Sequence, residues 1–175
     1  MKSTKRITLL SIFTSLALIT FLIESLFPPL FLPGAKMGLS NIFTLMCLVI
    51  LTPLDAFILI FVRTFLASLF FGGINTLIFS LPAGVISVAL SSVLTYAFPK
   101  ISLVAISVAS AVLHNLVQNL IYVWVTGLKL MLGYMPYLAL IGILAGVIVG
   151  VCAQLVIKAI PISAFTRFYD SAGKK

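Results

Sequence analysis

The sequence predicts an all-α, polytopic membrane protein, a single domain over residues 1–175 with six transmembrane helices. Three observations carry this. The composition is 62% hydrophobic and 8% charged, with a mean hydropathy of +1.31, outside the range of soluble domains. Apolar runs near the length needed to cross a bilayer, about 20 residues, recur along the chain. The breaks between them hold Pro, Gly and Asn, the chemistry of turns.

The first helix is expected at about 7–27. It follows Lys2, Lys5 and Arg6 as a secretory signal would, but no A-x-A cleavage pattern follows, so it reads as a retained span. Phe27-Pro-Pro-Leu-Phe-Leu-Pro-Gly34 separates it from a second span at 38–52, the shortest of the six. Thr52-Pro53 leads into a third at 55–71. Gly72-Gly73-Ile-Asn75 divides the uncharged run Thr64–Pro99 and places the fourth span at 77–98. Pro99-Lys100 precedes the fifth at 101–125, and the stretch Gly133–Pro136 opens the sixth at 136–158.

The basic residues orient these spans. With both termini inside, Lys2, Lys5, Arg6, Lys100, Lys158, Arg167, Lys174 and Lys175 lie on the inner face, and Lys36 and Lys129 lie outside. That bias follows the positive-inside rule. It predicts a multi-pass membrane protein with cytoplasmic termini. Cys47 and Cys152 lie in apolar runs and read as small buried hydrophobes, not as a disulfide or metal framework.

Arg63 is the exception to this apolar pattern. It lies inside Phe57–Phe71, otherwise free of charge, and is about 12–14 Å along the helix from either end of its span. A charge near the bilayer centre costs about 2.5–3.5 kcal/mol or more, and such residues face a bundle interior or a watery cavity. The fifth span adds His114-Asn115-Leu-Val-Gln118-Asn119-Leu-Ile-Tyr122. Its i, i+4 pairs put these polar residues on one broad helix face, which must point into protein or water. Asn41 and Glu24 lie near the outer ends of their spans, and Lys36 and Asn75 in outer loops. The inner half is expected to be nearly bare of polar groups. This asymmetry predicts a pocket open to the outside and argues against a channel, which needs polar lining throughout.

In that pocket Arg63 and Lys36 would hold a carboxylate or phosphate, a contact strongest in a low-dielectric site. Asn41, His114, Asn115, Gln118 and Asn119 would fix polar groups, and Phe27–Pro33 would act as a lid. The competing readings are structural. Arg63 would pair with Glu24, and the amides would join helices at about 0.6 kcal/mol each. Asp55 reads as an N-cap and anchor of the third helix. Phe27, Phe31, Trp124 and Tyr134 read as interfacial anchors. Gly142-xxx-Gly146-xxx-Gly150 and Ala83-xxx-Ser87-xxx-Ser91 read as close-packing stripes, and Ser11-xxx-Ser15 as a packing or partner face.

Several chemistries lack their residues. There is no G-x-x-x-x-G-K-[ST] phosphate loop, no acidic cluster to hold magnesium and diphosphate, no Ser/His/Asp set and no Cys/His metal spacing. The expectation is a protein that is not an enzyme, with no cofactor and no metal.

Three segments carry a family resemblance: Pro33-Gly-Ala-Lys-Met-Gly-Leu-Ser-Asn41, Val62-Arg63-Thr-Phe-Leu-Ala-Ser-Leu-Phe-Phe-Gly-Gly73 and Val112-Leu-His114-Asn115-Leu-Val-Gln118. In order and spacing, most of residues 5–160 resemble the Gx transporter family, also labelled heptaprenyl diphosphate synthase component I. That family is in turn similar to the substrate-binding S components of energy-coupling factor (ECF) importers. The resemblance implies six helices, an outward pocket covered by loops, and partners comprising a transmembrane scaffold and two ATPases. It implies capture of a small anionic or amphiphilic nutrient, such as a vitamin or an isoprenoid or quinone precursor. The family label implies an alternative, an accessory membrane subunit in prenyl diphosphate synthesis for the menaquinone side chain.

Overall fold

The computed structural model describes residues 3–26 and 38–159. Lys36, the Phe27–Pro33 segment expected as a lid, and the tail beyond Ala159 lie outside the described residues. Six α-helices follow in order: α1 Ser3–Leu26, α2 Asn41–Ile50, α3 Pro53–Ala67, α4 Gly73–Ala97, α5 Leu103–Thr126 and α6 Met135–Ala159. A π-helical turn, Ser68–Gly72, joins α3 to α4, and a 3-10 turn, Lys129–Tyr134, precedes α6. Successive helices alternate in direction. The starts of α1, α3 and α5 define one end of the bundle, the terminus end. The starts of α2, α4 and α6 define the other, the loop end.

Five segments are long and apolar enough to cross a membrane. The exception corrects the second predicted span. The helix in 38–52 has only 10 residues, about 15 Å at 1.5 Å per residue, half of a bilayer core of about 30 Å. Its limits are set by a left-handed turn at Gly38 (φ +69°) and by Thr52-Pro53, where α3 begins. Apolar nearly all round, α2 is buried rather than lipid-facing. Thr44 to Leu48 and Ile50 are all buried, against α1, α3 and α6. The predicted loop at 72–76 also gives way to helix, because α4 begins at Gly73 (φ +61°) straight after the π turn and takes Asn75 into its first turn.

The most extensive helix contact is between α5 and α6, and the glycine stripe explains it. A Cβ on Gly142 would lie 2.9 Å from Val112 Cα, one on Gly146 2.5 Å from Val108 Cα, and one on Gly150 2.7 Å from Val104 Cα. Each glycine thus admits one backbone turn of the antiparallel neighbour, as small-residue packing requires.

The terminus end has an apolar core and is ionically clamped. The core there includes the fully buried Cys47, Leu48, Leu59 and Ile60. Thr52 is the N-cap of α3: its hydroxyl accepts the Asp55 N–H (3.2 Å) and donates to Asp55 Oδ2 (2.7 Å). Asp55, expected as the cap itself, is instead the N3 residue of a Thr-x-x-Asp arrangement, where its charge also suits the helix N-terminus. Its carboxylate, 1% exposed, receives Arg6 of α1 through Nε at 2.9 Å to both oxygens and through a guanidinium NH2 at 2.8 Å from Oδ1. This pair ties α1 to α3.

The exterior is largely apolar. Ile12, Leu16, Ile19 and Ile23 on α1 and Leu144, Ile148 and Leu155 on α6 are all exposed, a surface suited to lipid tails. Trp124, Tyr134 and Tyr137 are exposed toward the loop end, and Tyr96 and Phe98 toward the terminus end. That is the pattern of aromatic belts at two interfaces.

Candidate functional site

The site is built around the Gly38 turn. Its left-handed backbone aims the Gly38 N–H at Glu24 Oε1 (2.5 Å) at the end of α1, while its carbonyl accepts the Asn41 N–H (2.8 Å) and starts α2. Ser40 then holds the N-cap position, yet its side chain makes no capping bond. Its hydroxyl instead accepts from a guanidinium NH1 of Arg63 at 2.6 Å, and Asn41 Oδ1 accepts from the same nitrogen at 3.1 Å. A serine that forgoes its usual capping role to hold a buried arginine, 5% exposed, was not foreseen from the sequence.

Arg63 opens on a cavity of about 60 Å³, whose walls include Glu24, Ser40, Asn41, His114, Asn115 and Gln118. The His114 imidazole lies beside the Gln118 side chain and the Ala83 carbonyl. Glu24, the predicted competing partner, shares this wall and offsets part of the arginine's charge. The direct hydrogen-bond partners of Arg63 are neutral. Four of the predicted companions of Arg63 therefore meet it in one cavity: Asn41, His114, Asn115 and Gln118.

A second cavity, about 230 Å³, adjoins the first and shares Asn115 and Gln118 with it. Its remaining lining is mainly apolar: Phe79, Tyr122, Met131 and Leu138, with Asn119. The Phe79 and Tyr122 rings stand 5.4 Å apart in a tilted contact. Asn119 belongs here and is absent from the lining of the Arg63 cavity. Its Nδ2 donates to the Met131 carbonyl at 2.9 Å, and Asn115 Nδ2 donates to the Leu138 carbonyl at 3.1 Å. Asn119 pins α5 to the 3-10 turn and Asn115 pins it to the start of α6, so the interhelical reading describes one donor of Asn115.

Toward the terminus end a third cavity, about 40 Å³, shares Gly38, Asn41, Ala111 and His114 with the first. Its lining includes Thr44, Ser87, Ser91, Ser107 and Ser110. The expectation of a nearly bare inner half is thus corrected. Serines at i, i+4 spacing, read only as packing residues, also present oxygen to an internal space. Among the described residues, no three His, Cys, Asp or Glu side chains gather as a metal site would require.

The family described as heptaprenyl diphosphate synthase component I matches residues 13–156. The chain belongs to the heptaprenyl diphosphate synthase component I family. The match covers α1 from Phe13 onward, α2 to α5 whole, α6 up to Val156, and every residue named around the cavities. No curated protein and no solved structure matches the chain.

Proposed function

We propose that this protein is a membrane subunit that binds a small anionic or amphiphilic molecule at Arg63, as an S component of an ECF-type importer does, and is not itself an enzyme. The observation that carries the reading is the buried Arg63, held by the neutral Ser40 and Asn41 and facing a polar cavity. A guanidinium kept at such depth repays its desolvation when it meets a carboxylate or phosphate. The adjoining apolar cavity suits the hydrocarbon part of an amphiphile such as an isoprenoid or quinone precursor. Its volume of about 230 Å³ exceeds what a bare anion needs. The bound face is the loop end, outward in the orientation that the basic residues predict. Energy for release would come from a transmembrane scaffold and two ATPases. Ser11 and Ser15 are exposed on α1 beside Ile12 and Leu16 and offer a face of small residues to such a scaffold.

The family name favours a second reading, an accessory membrane subunit in prenyl diphosphate synthesis. Prenyl elongation places diphosphate on magnesium held by carboxylates. Here Asp55 is engaged by Arg6 at the terminus end, and of the two acidic residues among the described residues Glu24 lines the Arg63 cavity. In this reading too the chain binds and a partner catalyses. Purification of the tagged protein from its own membrane separates the two. Recovery of ATPases with a membrane scaffold supports import. Recovery of a soluble prenyl synthase without them contradicts it.

A further inference from the structure

Three serines that line the small cavity on the terminus side of Arg63 share one hydrogen-bonding polarity. Ser87 donates its hydroxyl hydrogen to the Ala83 carbonyl (2.8 Å), Ser91 to Ser87 (2.9 Å) and Ser110 to Ser107 (3.0 Å). With their hydrogens engaged, these oxygens have only lone pairs to present. Thr44 is 6% exposed, lines the same cavity, and its Oγ1 has no hydrogen-bond partner among the described residues. A buried hydroxyl without a partner is costly to the protein, so its presence points to something that fills the space. Ser87, Ser91 and Ser110 can only accept from an occupant, and Thr44 can accept as well as donate, so a group with a hydrogen to give is matched by all four. An ionised carboxylate or phosphate, which only accepts, meets lone pairs on three of the four and is better matched by the Arg63 cavity above it.

We propose that this chamber is a second subsite, which receives a hydrogen-bond-donating group of the bound molecule. The anionic group of that molecule pairs with Arg63. The inference rests on the reading of Arg63 as an anion site and narrows its ligand class to anions that carry a hydroxyl, amide or amine group. The spacing follows from the helices. Thr44 lies three residues below Asn41, and Ile60, which lines the chamber, three below Arg63. The donor group therefore sits roughly 5 Å from the anionic group along the bundle axis. A volume of about 40 Å³ admits one such group or two to three waters.

A matched pair of probes tests it: glycerol 3-phosphate, which carries hydroxyls, and n-propyl phosphate, which does not. Binding to the full chain in lipid nanodiscs is measured by titration calorimetry, for the parent, Thr44→Val and Thr44→Val/Ser110→Ala. The expected result is a preference for glycerol 3-phosphate of tenfold or more in the parent, cut to less than threefold in the double variant. Thr44→Val without ligand should melt no lower than the parent, because it removes an unpartnered hydroxyl. Equal binding of both phosphates by the parent, or an undiminished preference in the double variant, overturns the subsite and leaves the Arg63 reading in place. Binding of neither phosphate overturns both.

Discussion

Among the described residues two arginines are set in helices, and the molecule treats them in opposite ways. Arg6 meets a carboxylate: Asp55 takes it with both oxygens at the terminus end, on top of an apolar core. Arg63 meets a hydroxyl and an amide, and it faces a cavity at mid-depth. The first arrangement uses the charge to fasten α1 to α3. The second keeps a charge where binding of an anion would complete it. The difference teaches that the two arginines are told apart by the nature of their partners, and the proposed function rests on that distinction.

The comparison predicts that substitutions separate into those that change stability and those that change binding. The largest effect falls on the frame common to both regions. Gly146→Leu places a side chain where even a Cβ would lie 2.5 Å from Val108 Cα. A backbone cannot yield as a side-chain tip does, so the cost should reach about 3 kcal/mol or more. The yield of monodisperse protein in size-exclusion chromatography should collapse; normal yield would show that α5 and α6 do not pack as described.

Next in size is the clamp. Asp55→Ala removes the buried partner of Arg6 and of the Thr52 cap, and should lower the melting temperature by several degrees. Ligand affinity should stay within about twofold, roughly 0.4 kcal/mol. A loss of affinity with unchanged melting would reverse the roles assigned to the two arginines. Gly38→Ala is smaller and acts on the other side. It strains a left-handed turn and brings a Cβ to 3.0 Å from Asn41 Nδ2, at about 1 kcal/mol. Because that turn places Ser40 and Asn41, weaker binding should accompany the lower melting point. The smallest effect is expected at Asn119. Asn119→Ala loses one bond to the Met131 carbonyl, about 0.6 kcal/mol by membrane double-mutant precedent, with binding of a bare anion at Arg63 unchanged.

Much of this frame was legible in the sequence. The five long helices followed from apolar length and from Pro and Gly at their ends, and the close packing of α6 followed from glycines four residues apart, although the sequence did not name α5 as the neighbour. The second span was already the shortest in the sequence, but its trimming to ten residues was not legible, because it depends on the left-handed turn at Gly38 that delays the start of α2 to Asn41. Arg63 was conspicuous because charge is rare here, and the polar face of α5 was conspicuous by its spacing. Three features were hidden. Arg6 looked like an orientation signal, and its partner lies 49 residues away. Ser40 gave no signal, because it lay inside the span expected at 38–52. The serines of α4 serve packing and lining at once, and the spacing is the same for both. The Thr52-x-x-Asp55 pattern was there to be read, and it names Thr52 as the cap.

The central claim is that Arg63 holds a ligand. Native mass spectrometry of the protein released from nanodiscs made with its own membrane lipids tests it most directly, with Arg63→Gln beside the parent. The parent should carry a reproducible small-molecule adduct. Arg63→Gln, with the same helical circular dichroism and a melting temperature no lower, should lose it or bind it about 10–100-fold more weakly, the scale of a charge-assisted hydrogen bond of 1.5–3 kcal/mol. An adduct retained equally by Arg63→Gln, or none in the parent before and after incubation with a metabolite extract, would contradict the account.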